Sequence, residues 1–170
     1  GGCVPVFDKE FEGGNSCAAN SAHLTDIIRK FKVKRIVLSA YWQRNIDDET
    51  YAYTDLASTV KRLRDMGLDV YIIGDNPDFP FANPAFLGVR LAGRPNPNAP
   101  YYTEVRNSFA FNARLSALVG SDHFSDPMKS LCKGQKCLAY VDGKLTMMDN
   151  AHLSSVGAAI ALKDMDHLFP

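Results

Sequence analysis

Apolar positions in the first half of the chain switch twice between a helical spacing and a short unbroken run. Leu24, Ile27, Ile28 and Phe31 recur at i, i+3, i+4 and i+7, which predicts a helix over residues 21–32. The run RIVLSA at 35–40 reads as a strand covered on both faces, as in a parallel sheet. Tyr53, Leu56, Val60 and Leu63 return to helical spacing, predicting a helix over 48–66 that Gly67 stops in a left-handed turn. VYIIG at 70–74 is a second buried strand. Helix, strand, helix, strand with short links defines a layered α/β domain with a largely parallel sheet.

The second half is less regular. Residues 77–100 hold six of the nine prolines together with several asparagines, and predict a long irregular excursion. It leaves the end of a strand, where α/β proteins place ligands. A third helix is predicted over 103–119, with Phe111, Leu115, Leu118 and Val119 facing inward. After it come a short strand at 123–125, a loop between Cys132 and Cys137, a hairpin of LAYVD and LTMMD about Gly143, and a closing helix over 153–167. No internal repeat, low-complexity stretch or boundary interrupts the pattern, so 1–170 reads as one domain.

Size and charge narrow the available functions. A chain of 170 residues with 46% hydrophobic positions buries about 70% of the surface it exposes unfolded, so neither metal nor cofactor is needed for folding. Nineteen basic residues against nineteen acidic ones argue against nucleic acid or an anionic membrane as the main partner, since both demand a strong positive field. The cluster Arg29, Lys30, Lys32, Lys34 and Arg35 reads as a solvated helix end, since cations favour helix C-termini. No apolar run approaches the roughly 18 residues of a membrane span, and GGCVPVFDKE lacks the layout of a signal peptide.

The four cysteines fall as two local couples, Cys3 with Cys17 and Cys132 with Cys137. Four cysteines allow three pairings, and spacing does not choose among them. A zinc site is disfavoured because no tight C-x-x-C occurs. Flanks rich in Gly, Asn, Ser and Lys predict exposed loops, where disulfides in an oxidising compartment fit better than free thiols. Export is then expected to depend on a longer parent chain.

The segment TMMDNAHLSSVGAA at 146–159 concentrates the chemistry. An apolar strand ends, Asp149 and His152 stand three apart on a turn, and a helix follows. Such a turn can hold a carboxylate against imidazole Nδ1 and leave Nε2 as a general base; equally, it can be a helix-capping aspartate beside a half-buried histidine. The spacing recurs at Asp164 and His167, inside the predicted closing helix, where it reads as a surface pair. Ser154, Ser155, Gly157, Ala158 and Ala159 are small enough for that helix to approach the sheet closely.

YVDGKLTMMDNAHLSSVGA resembles the last block of the SGNH, or GDSL-type, hydrolase superfamily, in the form fused behind type-three membrane acyltransferases. CVPV resembles that subgroup's Cys-Pro motif after the second strand. RIVLSAYW is similar to its strand ending in an aromatic residue and tryptophan, VYIIGDNPDFP to its strand and proline loop, and LCKGQKC to its cysteine loop. The matches keep the family order over nearly the whole chain. The resemblance implies a three-layer α/β/α sandwich of flavodoxin-like SGNH type with a mostly parallel sheet. It implies a Ser-His-Asp triad in which Asp149 orients His152.

The family's nucleophile lies in Gly-Asp-Ser on a first strand expected before Cys3, and the chain contains neither that motif nor G-x-S-x-G. The first strand is therefore expected upstream, leaving the domain N-terminally incomplete. Gly74-Asp75-Asn76 follows a strand, but asparagine cannot be acylated; Gly120-Ser121-Asp122-His123 reads as a turn. For the oxyanion hole and substrate wall the resemblance points to Gly2, Trp42 and Asn45. Trp42 otherwise packs in the core, and Tyr101 and Tyr102 either line a carbohydrate cleft or pin the proline loop.

What the resemblance implies is an extracytoplasmic O-acyl, chiefly O-acetyl, transferase or esterase domain without cofactor or metal. Its partners are a membrane-embedded acyltransferase domain, an acyl donor and a cell-surface glycan acceptor. It would work at the periplasmic or extracellular face of a bacterial inner membrane. A non-catalytic glycan-binding or partner-docking domain of the same fold is the alternative.

Overall fold

The computed structural model describes residues 4–7, 17–47, 53–80, 84–96 and 98–165. In chain order they form α1 (Cys17–Phe31), β1 (Arg35–Ser39), α2 (Trp42–Asp47), α3 (Tyr53–Asp65), β2 (Asp69–Ile73), α4 (Pro84–Ala92) and β3 (Tyr101–Glu104). There follow α5 (Phe109–Val119), β4 (Phe124–Ser125), α6 (Pro127–Leu131), β5 (Cys132–Lys133), β6 (Lys136–Val141), β7 (Lys144–Leu145) and α7 (Ser155–Ala161). Two compact units result, one of Gly1–Gly74 with Ala113–Ser125, the other of Asp75–Asn112 with Asp126–Pro170. Each combines two separated stretches, so no linker composition marks either.

In the first unit, β1, β2 and β4 make a parallel sheet in that order, with Arg35 opposite Asp69 and Ile72 opposite Phe124. Val70, Tyr71 and Ile72 are consecutive and all buried, which requires cover on both faces of β2. Leu56, Thr59, Val60 and Leu63 form the buried stripe of α3. The Thr59 hydroxyl accepts the Phe7 N–H at 2.9 Å, tying residues 4–7 to this helix. At the amino end of the sheet the Asp69 carboxylate accepts from Arg35 Nε at 3.2 Å and meets His123 Nε2 at 2.9 Å, lacing all three strands together. Gly67 takes φ +83° and closes α3 as expected. The predicted helix at 48–66 begins, among the described residues, at Tyr53. Ahead of it lies α2, a short helix that periodicity did not predict.

The second unit carries an antiparallel sheet of order β3-β6-β5, with β7 added to β6. The segment 103–119 is therefore not one helix. Tyr101 to Glu104 pair with β6, and α5 starts only at Phe109, where the Ser108 hydroxyl accepts the Ala110 N–H at 3.2 Å. Tyr and Thr favour strands, but what decides is a partner 30-odd residues away that local periodicity does not register. The excursion 77–100 also needs correction, since it contains α4. Pro84 opens that helix, at the position where a missing N–H costs nothing, and no proline follows until Pro95.

Two hairpins shape the rest of this sheet. Asp142 and Gly143 have φ +48° and +77°, the paired left-handed conformation of a type I′ turn, and join Val141 to Lys144. Gly134, at φ +58°, turns β5 into β6 so that Cys132 lies directly across from Cys137, and the two are disulfide-bonded. Cys3 lies outside the described residues, as does the Cys17 side chain. The core here comprises Phe79, Leu87, Leu91, Met128, Ala139 and Met147, with the buried Cys137. The closing helix is shorter than the 153–167 expected: α7 ends at Ala161 and tightens into a 3-10 turn at Leu162–Asp164. Among the described residues no helix is long and apolar enough to cross a membrane.

The disulfide closes a short loop, for which chain entropy gives about 2 kcal/mol of stabilisation. Replacing Cys132 and Cys137 together by serine is expected to lower unfolding stability by about that amount or more, because one thiol site is fully buried. Urea titration of the oxidised parent and the double variant measures it.

Candidate active site

The Asp149–His152 turn is fastened at its base before any side chain acts. Met147 and Leu153 form an antiparallel bridge, the Met148 N–H donates to the His152 carbonyl at 2.7 Å, and the Ser154 N–H donates to the Thr146 carbonyl at 2.9 Å. Ser154 then caps α7: its hydroxyl accepts the Gly157 N–H at 3.2 Å and donates to the Leu145 carbonyl at 2.6 Å. Thr146 is fully buried and donates to the Leu138 carbonyl at 2.5 Å, binding the strand end to β6.

Gly157 makes this junction possible. A Cβ there would lie 1.9 Å from the Thr146 carbonyl oxygen and 2.9 Å from its carbon, far inside van der Waals contact. The predicted close approach of a small-residue helix is thus real, and its decisive residue is Gly157.

Within the turn, Asp149 Oδ1 accepts the backbone N–H groups of Ala151 at 2.9 Å and His152 at 2.8 Å. Its other oxygen, Oδ2, meets His152 Nδ1 at 2.7 Å. The Ala151 and His152 N–H groups, followed by the His152 side chain, hold the Asp149 carboxyl below the usual carboxylate range. With a carboxylate on Nδ1, that nitrogen carries the proton and Nε2 is the ring's basic position. The His152 side chain is 76% exposed and Asp149 43% exposed, so the pair faces solvent rather than filling the core.

A second layer of contacts holds the turn from the loop that leaves β2. The Asn150 carbonyl accepts the Phe79 N–H at 2.8 Å, and Asn150 Nδ2 donates to Asp78 Oδ1 at 3.1 Å. Arg106 Nη2 donates to the same oxygen at 2.6 Å, so the buried Asp78 carboxylate is paired. Asn107 grips the loop at two points, accepting the Asp78 N–H at 2.9 Å and donating to the Asn76 carbonyl at 2.8 Å. Asn112 does the same one step earlier, accepting the Asp75 N–H at 2.9 Å and donating to the Asp75 carbonyl at 3.2 Å. Its amide also donates to Asp126 at 2.7 Å. Burial pushes the Asp126 carboxyl up, against the donation from Asn112 and the Met128 N–H.

Sequence reasoning found Asp149 and His152 but not Asp78, Asn107, Asn112 or Asn150. The Asn and Asp content of GDNPDFP was the available signal, since these side chains satisfy loop backbone in place of a strand partner. Asn107 and Asn112 act on residues 29 to 37 positions away and leave no local trace.

The remaining expected residues fall elsewhere. Trp42 has no exposed surface, and its indole N–H donates to the Ile73 carbonyl at 2.7 Å. A fully enclosed ring offers no face to a sugar, so it performs the packing role. Asn45 Nδ2 is spent on the Tyr41 carbonyl at 2.5 Å, one turn back in the chain. Gly2 lies outside the described residues, and so does His167. Residues 121–123 form a 3-10 turn, as expected for the serine-containing stretch, with His123 paired to Asp69. Among the described residues no group of three or more His, Cys, Asp or Glu is placed to hold a metal.

The first unit is a parallel α/β sheet with helices, and the second carries an aspartate–histidine pair on a strand-to-helix turn. The chain belongs to the SGNH domain family, the form fused to AT3 domains, whose profile matches residues 1–166. Among solved structures, the chain resembles the periplasmic domain of the lipopolysaccharide acetyltransferase of Salmonella ser. Paratyphi A. The TM-score is 0.71 at 16% identity, over 97% of this chain and 67% of that one. At that identity the likeness establishes an SGNH-type fold. No curated protein matches the sequence.

Two expectations follow. Gly157→Ala forces α7 off the Thr146 carbonyl and is expected to destabilise the protein by about 1–3 kcal/mol, the usual cost of overpacking, read by thermal or urea denaturation. The depressed Asp149 pKa contributes stability that is complete above the carboxylate's unfolded pKa and is lost as pH falls through the lower folded value. Carboxyl carbon shifts followed by NMR should therefore place the Asp149 midpoint below that of ordinary aspartates.

Proposed function

We propose that this chain is the extracytoplasmic acyl-transfer domain of a membrane protein that modifies a cell-surface polysaccharide, moving an O-acetyl or similar acyl group. The observation that carries the reading is the 2.7 Å contact between Asp149 Oδ2 and His152 Nδ1. Family membership supports it through the fusion to AT3 domains, and the structural neighbour acts as a lipopolysaccharide acetyltransferase. The Cys132–Cys137 disulfide fits an oxidising compartment on the outer side of a bacterial inner membrane.

In the proposed chemistry a serine on a strand upstream of Gly1 attacks the carbonyl carbon of the acyl donor. His152 Nε2 takes the hydroxyl proton as the Oγ–C bond forms. Collapse of the tetrahedral intermediate breaks the bond to the leaving oxygen, which receives that proton. His152 then deprotonates a glycan hydroxyl, or water, whose attack on the serine ester regenerates the hydroxyl. Asp149 remains ionised throughout, because its backbone donors favour the charged form, and so stabilises the transient imidazolium. Asp78 and Asn150 keep the turn in register.

Fluorophosphonate labelling separates this from a non-catalytic glycan-binding role. The reading expects no labelling of the 170-residue chain and labelling of a form extended upstream through one further strand, abolished by His152→Ala. Asp149→Asn keeps an acceptor for the two backbone N–H groups but cannot accept from Nδ1–H. It should leave the fold intact and reduce the labelling rate by about 10⁴-fold. Failure of the extended form to label at all would favour the binding role.

A further inference from the structure

We propose that the carboxyl end of α1 is a docking surface for the anionic headgroups of a phospholipid bilayer. The inference rests on the reading that the domain works beside a membrane, and it concerns residues other than Asp149 and His152.

Two helices in this protein end in the same backbone motif with different residues at its critical position. After α3, the Gly67 N–H donates to the Arg64 carbonyl at 2.8 Å and the Leu68 N–H to the Leu63 carbonyl at 3.2 Å, with Gly67 at φ +83°. After α1, the Lys32 N–H donates to the Arg29 carbonyl at 3.4 Å and the Val33 N–H to the Ile28 carbonyl at 3.1 Å, with Lys32 at φ +50°. This closure calls for a left-handed residue, and glycine adopts that conformation without cost. The second helix has the glycine. The first carries a lysine, a strained choice for folding alone, and strained backbone of this kind concentrates where function maintains it.

The surroundings indicate what the lysine serves. Arg29, Lys30, Lys32 and Lys34 are all exposed, against Asp26 as the one acid on α1. Arg35 is not counted with them, because Asp69 holds it. In a chain whose total formal charge is zero, this is a local positive field. Set among these cations are two large apolar side chains one turn apart, Ile27 at 47% and Phe31 at 67% exposure. Lys30 Nζ lies 5.5 Å from the centre of the Phe31 ring.

The helix dipole explains cations in the last turn. It does not explain Lys34 beyond the helix, the left-handed Lys32, or the exposure of Ile27 and Phe31. A polyanionic glycan would use the cations but has no need of an aliphatic side chain beside them. Apolar side chains that enter the boundary below the headgroups, ringed by cations that pair with lipid phosphates, account for all of these features.

The test uses flotation of the 170-residue chain with vesicles of phosphatidylcholine alone and of phosphatidylcholine mixed with phosphatidylglycerol. Binding is expected only to the mixed vesicles, to fall with added salt, and to weaken about fivefold for each cation removed, as in Lys30→Gln. Phe31→Ser is expected to weaken it further. Lys32→Gly discriminates most sharply: it relieves the left-handed strain, so thermal stability should rise while vesicle binding falls. Unchanged binding in that variant overturns the proposal. So does equal binding to both vesicle types, absence of binding to either, or binding to dextran sulfate without binding to vesicles, which would mark a glycan-binding face. Because labelling of the upstream-extended form is read separately, failure of either result leaves the other interpretable.

Discussion

Between Met147 and Leu153 the chain must reverse direction while keeping an imidazole and a carboxylate in contact, and Asp149 satisfies both demands with one side chain. Oδ1 takes two backbone N–H groups that the turn would otherwise leave unpaired, while Oδ2 faces the ring. The two tasks reinforce each other. Backbone donation keeps the carboxyl charged, and the charged carboxyl holds the Nδ1 proton that leaves Nε2 basic. A capping aspartate and a histidine-orienting aspartate, which sequence presents as alternatives, are here the same group.

That arrangement holds position only because its surroundings are rigid. On one side α7 presses against the Thr146 carbonyl at a distance that only glycine allows, and Ser154 fixes the first turn of the helix to β7. From the other side Asp78 and Phe79 grip Asn150, and Asn107 and Asn112 hold their loop by copying the donor and acceptor pattern of a neighbouring strand. Among the described residues no buried side-chain nitrogen or oxygen lacks a hydrogen-bond partner. A fully satisfied polar network of this kind specifies one geometry, because every displacement strands a buried group.

Polar side chains substitute for secondary structure where the proline-rich loop cannot make it. Prolines at 77 and 80 remove two donors and bar a regular ladder, so the loop's remaining backbone groups turn to asparagine amides. The same economy explains the buried Trp42, whose indole N–H satisfies the carbonyl of Ile73 at the end of β2. Its size and chemistry suit either a core or a binding wall, and its burial assigns it to the core.

The sequence alone determined whatever depends on near neighbours. The parallel strands at RIVLS and DVYII, the glycine stop after α3, the Asp-Gly hairpin and the Asp-x-x-His turn were legible because periodicity, left-handed glycines and three-residue spacing are local properties. Tertiary structure decided the rest. Tyr101 to Glu104 became a strand because β6 was there to pair with it, and Pro84 began a helix whose apolar residues reach a core containing Phe79 and Met147. Asp78 and Asn107 became part of the site through partners 28 to 72 residues distant. Such contacts acquire meaning only when folding removes water from the groups that make them, since an unpaired polar atom is costly in the interior and cheap in the unfolded chain.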